Sequence, residues 1–473
     1  MRPLIVILIL LSFIQAGLTG QIIQKPVYQV GISSLPYFGD NTPFWFVSNE
    51  NGKYLPDGLN NLLELGFTGN LNPGENLSIG YGVEAISRQN NGNKTFLNQA
   101  YLESNIYFIN ILLGAKNRSY GNEDSTLSSG ALLWSGNARP MPKIGIGTNG
   151  FTEVPFTRGY LEVDGYLEHG WFENNRDDWM DEPRHVKDVL LHHKYVKLRI
   201  GGNLPVRLQY GLEHFTQYGG TSPDFEHPFP TSFEAYRRIF FAQSGDSTLT
   251  DVEGEITNQL GNHLGGRIMG LDVRMEDYHL NIYWQTIFED GSGRKWRNVE
   301  DGLWGISIRM KDKNQFVSGI CAEFLRTLDQ SGPVHDNELG LRGNDNYFNN
   351  YIYRSGWSHY GMTIGNPFIT SPIYNEKGDH FRNNKVLMQH YGFEGNIYKN
   401  LYYQFLFSFH SNFGTNGAPF DPPKDFLSSA LKLRFPVHLL TGLDVTTAFG
   451  MDTGHMYGYN YGFMIKLSKK GRL

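Results

Sequence analysis

The feature that most constrains this chain is an alternation of apolar and polar residues with a period of two, repeated in many short segments. Tyr278, Leu280, Ile282, Trp284, Thr286 and Phe288 fall on one side, and His279, Asn281, Tyr283 and Gln285 on the other. Trp304, Ile306, Ile308 and Met310 alternate with Gly305, Ser307, Arg309 and Lys311. Comparable patterns run from Leu401 to His410, from Leu427 to Phe435, and from Tyr459 to Ser468. Successive side chains of a strand point to opposite faces, so each segment has one apolar and one polar face.

A soluble sandwich of two sheets would alternate in the same way. Three features favour a transmembrane antiparallel β-barrel. The segments are roughly 9–12 residues long, as a tilted membrane span requires. Aromatic residues gather near segment ends (Tyr101 and Tyr107, Tyr402 and Tyr403, Tyr459 and Tyr461), which suits interfacial girdles. The polar faces mix Gln, Asn, His, Lys and Arg, a composition suited to a wet lumen. Adding Leu62–Thr68, Leu77–Ser87, Gln99–Ile106, Tyr107–Asn117, Gly159–His169, Val189–Ile200, Pro205–His214, Leu264–Met275, Gln315–Leu325, Val386–Asn396, Thr441–Asp452 and a few weaker segments brings the count to about 18 strands, and single-chain bacterial barrels favour even numbers.

Address and composition agree. Met1–Arg2 is a short positive start, Leu4–Ile14 is apolar, and Ala16, Gly17, Thr19 and Gly20 are small, so residues 1–20 read as a signal peptide. The expected mature protein is one domain, 21–473. After the signal no apolar run is long enough for a helical span, whereas a barrel hides its apolar surface in every second residue. The single cysteine, Cys321, excludes an internal disulfide framework in an exported chain. A net charge of −6 is too balanced to predict nucleic acid as a partner.

The wall accounts for less than half of the mature chain. Ser119–Arg158, Glu213–His263 and Asp329–Lys385 are long irregular stretches whose aromatic content argues against disorder. One of them carries a helix signal: Ser232 as cap, then Phe233, Tyr236, Arg237, Phe240 and Phe241 at helical spacing. This predicts a short helix over about residues 232–242, packed in or over the barrel mouth.

No catalytic constellation emerges. Gly145-Ile-Gly-Thr-Asn-Gly150 matches a dinucleotide-binding string, but that site needs a strand before it and a helix after it. Here Pro140 and Pro142 precede it and no helix follows, so it reads as a turn-rich loop. Gly356-Trp-Ser-His-Tyr-Gly361 has the wrong spacing for a serine-hydrolase elbow. His185, His192 and His193 lack a carboxylate at ligand spacing, and His192 and His193 would face opposite sides of a strand. No cofactor and no metal are expected.

Trp134-Ser-Gly-Asn-Ala-Arg-Pro-Met-Pro-Lys143 resembles the signature of the Wzi family of outer-membrane capsule-assembly proteins. Pro43-Phe-Trp-Phe-Val-Ser-Asn49, Leu127-Ser-Ser-Gly130, Gly201–Gly220 and Ser355-Gly-Trp-Ser-His-Tyr-Gly361 with Ile364-Gly-Asn-Pro367 resemble further family blocks, in the right order and in the version found in Bacteroidetes. The resemblance implies an eighteen-stranded barrel that engages capsular polysaccharide at the outer surface. Characterised members carry an N-terminal helical bundle that plugs the periplasmic end; Gln21–Asn60 shows no comparable helix pattern.

Sugar faces stack on Trp and Tyr, while their hydroxyls and carboxylates need Asn, Asp or the arginine fork. Trp134, Asn137, Arg139, Arg354, Trp357 and His359 offer that mixture and are the candidate polysaccharide-binding residues. The expected protein is non-enzymatic, resides in the bacterial outer membrane, and binds or organises capsular polysaccharide or exopolysaccharide. Its other expected partners are outer-membrane lipid and the barrel-assembly machinery. A substrate-selective porin is the alternative, and an outer-membrane hydrolase the third reading.

Overall fold

Strand alternation becomes a closed wall in the computed structural model, which describes residues 25–90, 92–174, 185–336, 338, 341–375, 380–398, 400–437 and 440–473. The expected signal peptide lies outside the described residues. Eighteen antiparallel strands form the barrel. They are β1 (Val27–Leu35), β2 (Asn60–Gly74), β3 (Leu77–Gln89), β4 (Asn93–Ile106), β5 (Ile109–Ala115) and β6 (Pro142–Thr148). Next come β7 (Leu161–Trp171), β8 (Leu190–Ile200), β9 (Val206–Tyr218), β10 (Asn262–Arg274), β11 (Tyr278–Gln285) and β12 (Gly302–Met310). β13 (Gly319–Arg326), β14 (Val386–Tyr398), β15 (Leu401–Gly414), β16 (Pro419–Pro436), β17 (Leu443–Gly454) and β18 (Asn460–Arg472) complete the set. Each strand pairs with its sequence neighbour, and β1 closes the ring by pairing with β18 from Val27↔Arg472 to Ser34↔Ile465. Closure leaves no open edge, which a lipid environment demands because it cannot hydrogen-bond a free backbone. Among the described residues no helix is long and apolar enough to cross a membrane.

The two faces of the wall differ as the alternation requires. Leu198, Ile200, Leu208 and Leu212 on β8 and β9, and Phe463, Ile465 and Leu467 on β18, are exposed and point outward, forming a lipid-facing band. Inward positions carry paired charges. Lys53 lies between Glu84 (2.7 Å) and Glu64 (3.3 Å), and Lys466 meets Glu64 at 2.5 Å. Glu168 collects Lys143 at 3.0 Å, His193 at 2.8 Å and the Tyr120 hydroxyl at 2.5 Å. A buried charge is tolerated only when paired and hydrogen-bonded, and these inward groups are both.

Two expectations are corrected. Residues 142–148 form strand β6, not a turn-rich loop. A Cβ at Gly145 or Gly147 would lie within 2.5 Å of the Tyr166 ring, so the alternate glycines make room for that inward ring. The helix predicted at 232–242 exists at Phe233–Phe240 (α2; α1 is Phe44–Val47), with the Ser232 hydroxyl accepting from Ala235 N at 3.2 Å. It is not in or over the mouth. Its Tyr236 hydroxyl lies 3.1 Å from Nδ1 of His192, whose side chain faces outward. Lys194, also outward, donates to Phe240 O. The helix therefore sits against the outside of the wall, where Ala235 and Ile239 pack on Tyr218 and Leu260. His193, one residue on, turns into the lumen, so the paired histidines do face opposite ways.

The longest connections (36–59, 116–141, 219–261, 286–301, 327–385) all lie at one end, and those at the other are mostly short (75–76, 107–108, 201–205, 275–277). In outer-membrane-type barrels the short turns are periplasmic and the long loops extracellular.

Candidate functional site

Three of the long loops fold into the lumen and share one core. Loop 116–141 docks on inward wall residues: Glu323 accepts from Ser128 Oγ and Ser129 N, each at 2.6 Å. Gln285 Oε1 accepts from Leu132 N at 2.8 Å, and His390 Nε2 donates to Leu127 O at 2.7 Å. Loop 327–385 is laced to it, with Asn366 Nδ2 donating to Gly130 O (2.6 Å), Ser135 N to Ile364 O (2.8 Å) and Trp357 Nε1 to Leu133 O (2.7 Å). Loop 36–59 contributes α1, a single turn whose four residues are all buried, with Phe44 and Phe368 ring centroids 4.8 Å apart. This is the only helix described before Asn60, in keeping with the lack of a helical-bundle pattern there.

Five of the six candidate residues lie in this assembly. Trp134 stacks on Phe215 (5.6 Å) and meets Trp357 edge-on at 6.0 Å. Asn137 is fully buried, donating to Thr363 O at 3.1 Å and accepting from Asn49 N at 3.3 Å. His359 pairs with Glu173 at 2.5 Å. The Arg139 guanidinium lies 3.5 Å from the centre of the Phe96 ring and 4.3 Å from that of Tyr360. Arg354 stands apart near the surface, 36% exposed, and pairs with Asp224 at 3.0 Å. The structure thus brings Trp134, Asn137, Trp357 and His359 together, but packed against protein on all sides.

Above this core, at the extracellular rim, lies a polar groove of about 660 Å³. Its walls come from loop 219–261 with its second helix α3 (Glu253–Thr257), from loop 286–301, and from residues 343–352. That volume falls within the usual range for ligand sites. The lining is rich in amides. Asn258 and Asn344 are exposed, and Tyr351, 60% exposed, supplies an open aromatic face. The floor is pre-set: Asn350 Nδ2 donates to Asn262 Oδ1 at 3.0 Å while its Oδ1 accepts from Ile352 N and Tyr353 N. Asn349 is held by Phe381 N and O (3.0 and 2.9 Å). Glu289, which accepts from Phe348 N at 2.8 Å, has its carboxyl pushed well above the usual range by burial, reinforced by repulsion from Asp345 and Asp290. A neutral carboxyl can donate as well as accept, which suits sugar hydroxyls. None of these groove residues was among the six candidates. The signals available were the run Asn344-Asp-Asn346 and Asn349-Asn-Tyr351, amide and aromatic side by side in a long loop.

An eighteen-stranded barrel with an apolar outer band, short turns at one end and loops filling the other is a bacterial outer-membrane protein. The family model of the capsule assembly protein Wzi matches residues 45–370. The chain belongs to that family. The solved Wzi of Escherichia coli, described as an outer-membrane, carbohydrate-binding β-barrel involved in group 1 capsule assembly, shares the fold with a TM-score of 0.59 at 13% identity, over 99% of this chain and 88% of that one. The OccK5 barrel of Pseudomonas aeruginosa aligns with a TM-score of 0.49 at 8% identity, over 95% and 98%. No curated protein sequence matches this chain.

Proposed function

We propose that this protein binds and organises capsular or exopolysaccharide at the cell surface, without catalysis, and that the rim groove is where the saccharide is held. The observation that carries this reading is the filled lumen. Interlocked loops leave a floor at the extracellular end, and that floor presents amides and an open tyrosine in a groove of suitable size. A substrate-selective porin would need those same loops to line a passage, and here they are packed on one another. Family membership and the carbohydrate binding named for the E. coli barrel support the same choice.

In this reading the six candidate residues divide. Arg354 is a contact residue for acidic sugars, because its guanidinium is near the surface and a carboxylate is its natural bidentate partner. Trp134, Asn137, Arg139, Trp357 and His359 hold the floor in place. Outer-membrane lipid and the barrel-assembly machinery are further proposed partners.

The test is retention of the detergent-purified protein on immobilised acidic and neutral capsular polysaccharides, repeated with Tyr351→Ala. Selective binding weakened about tenfold by the variant is expected, since losing one stacking face costs about 1–1.5 kcal/mol. Retention of no polysaccharide by the folded barrel would refute the reading.

A further inference from the structure

The polar groove continues over the rim onto the outside of the barrel. Ala242, Gln259, His263, Glu289, Asp290 and Arg294 line both it and a second cavity of about 710 Å³ on the outer wall. That second cavity is apolar. Its floor is the outward row Ile146, Leu167, Val196 and Leu212, and Phe240 and Phe241 overhang it. Val196 and Leu212 are 45% and 44% exposed and belong to the lipid-facing band, so the cavity opens into the hydrocarbon. Gly165 faces outward within it. A Cβ there would meet only the Tyr195 carbonyl, at 3.6 Å, so the missing side chain gives the cavity part of its depth.

An apolar trough reached from lipid and a polar groove reached from water, joined through six shared residues, fit one amphipathic ligand better than two separate ones. We propose that the saccharide is bound as the head group of an outer-leaflet glycolipid, with the sugar in the rim groove and one acyl chain in the wall cavity under Phe240 and Phe241. This rests on the saccharide-binding reading of the rim groove. The occupant of the apolar cavity is argued from its continuity with the lipid-facing wall on one side and with the sugar groove on the other. Arg294 lines both cavities and stands where a glycolipid's anionic linkage region would pass from one to the other, with Lys194 on the apolar side. Holding both ends of one molecule makes the second contact intramolecular, so the glycolipid binds more tightly than its sugar alone.

The probes are a rough-type lipopolysaccharide and the same molecule fully deacylated, each titrated against the full chain in detergent micelles. Gly165→Leu fills the trough, and Phe241→Ser removes its overhang; the second guards against a folding defect in the first. The expected result is tighter binding of the acylated form, with both variants lowering it to the affinity of the deacylated saccharide, which itself stays unchanged. Equal affinity for the two forms would overturn the glycolipid assignment and leave saccharide binding standing. Binding of the acylated form alone, reduced by Gly165→Leu yet indifferent to Tyr351→Ala, would also overturn it and count against the rim groove. No binding of the acylated form would overturn it outright.

Discussion

Loops 116–141 and 327–385 turn into the barrel, whereas loop 219–261 folds back over its outer wall, although all three are long, largely irregular and carry aromatic and Gly residues. The difference lies in what the strand ends beneath them offer. Inside, Glu323, Gln285 and His390 present polar atoms that bind the backbone of loop 116–141, and the aromatics of two loops then meet as one core. Outside, the upper ends of β8, β9 and β10 carry His192, Lys194, His214 and His263, with His214 Nε2 only 2.8 Å from His263 Nδ1. Lipid cannot solvate such groups, and loop 219–261 covers them with a capped amphipathic helix. A long loop goes where the wall needs covering, and the wall's needs are set by residues far away in sequence.

Breaking the inner assembly is expected to have the largest effect. Trp357→Ala removes a fully buried ring and its bond to Leu133 O, and should cost the lumen loops about 3–5 kcal/mol. Limited proteolysis should then cut within 116–141 and 343–385, and ion conductance should rise in planar bilayers, while loop 219–261 keeps its protection.

The outer loop gives the mirror experiment. Ile239→Ala, at a buried helix position, should cost about 2–4 kcal/mol and be felt locally. Hydrogen exchange should quicken in 219–261 and leave the lumen loops untouched. The two sites share no partner in either core cluster, so the double variant should show additive losses. Strong coupling between them would mean that the inner and outer loops form one unit after all.

A smaller effect sharpens the comparison where the loops meet, at Glu289. Its carboxyl is raised in the folded protein, so the folded state holds the proton more firmly than the unfolded chain. Its contribution to stability is greatest at low pH and is lost as pH rises from the ordinary glutamate value through the raised one. Protonation also removes a negative charge from the groove beside Asp290 and Asp345. Affinity for an acidic polysaccharide should therefore increase as pH falls through the raised value, and Glu289→Gln should flatten that profile. An unchanged profile in the variant would place the proton elsewhere.

Much of the wall was legible from the chain alone. Segments such as 278–288, 302–310 and 459–468 alternate strongly because one side must meet lipid and the other a polar lumen. β6 was not legible, since alternate glycines in Lys143-Ile-Gly-Ile-Gly147 look like a turn until the Tyr166 ring that occupies their place is known. Ser232 and the spacing that follows it announced α2, but amphipathicity says that a helix has a buried face and not what buries it. Trp134, Asn137, Trp357 and His359 were legible as a chemically suggestive set. Their burial was not, because it depends on two loops more than 200 residues apart closing over one another.

By itself, then, the sequence determined the local and periodic properties: strand period, wall polarity, the helix cap, and the family blocks carried by contiguous residues. Tertiary structure alone decided which loops enter the lumen, which one covers the outer wall, and where an open groove is left between them. Those outcomes depend on contacts between segments far apart in sequence, which exist only once the strands bring them together.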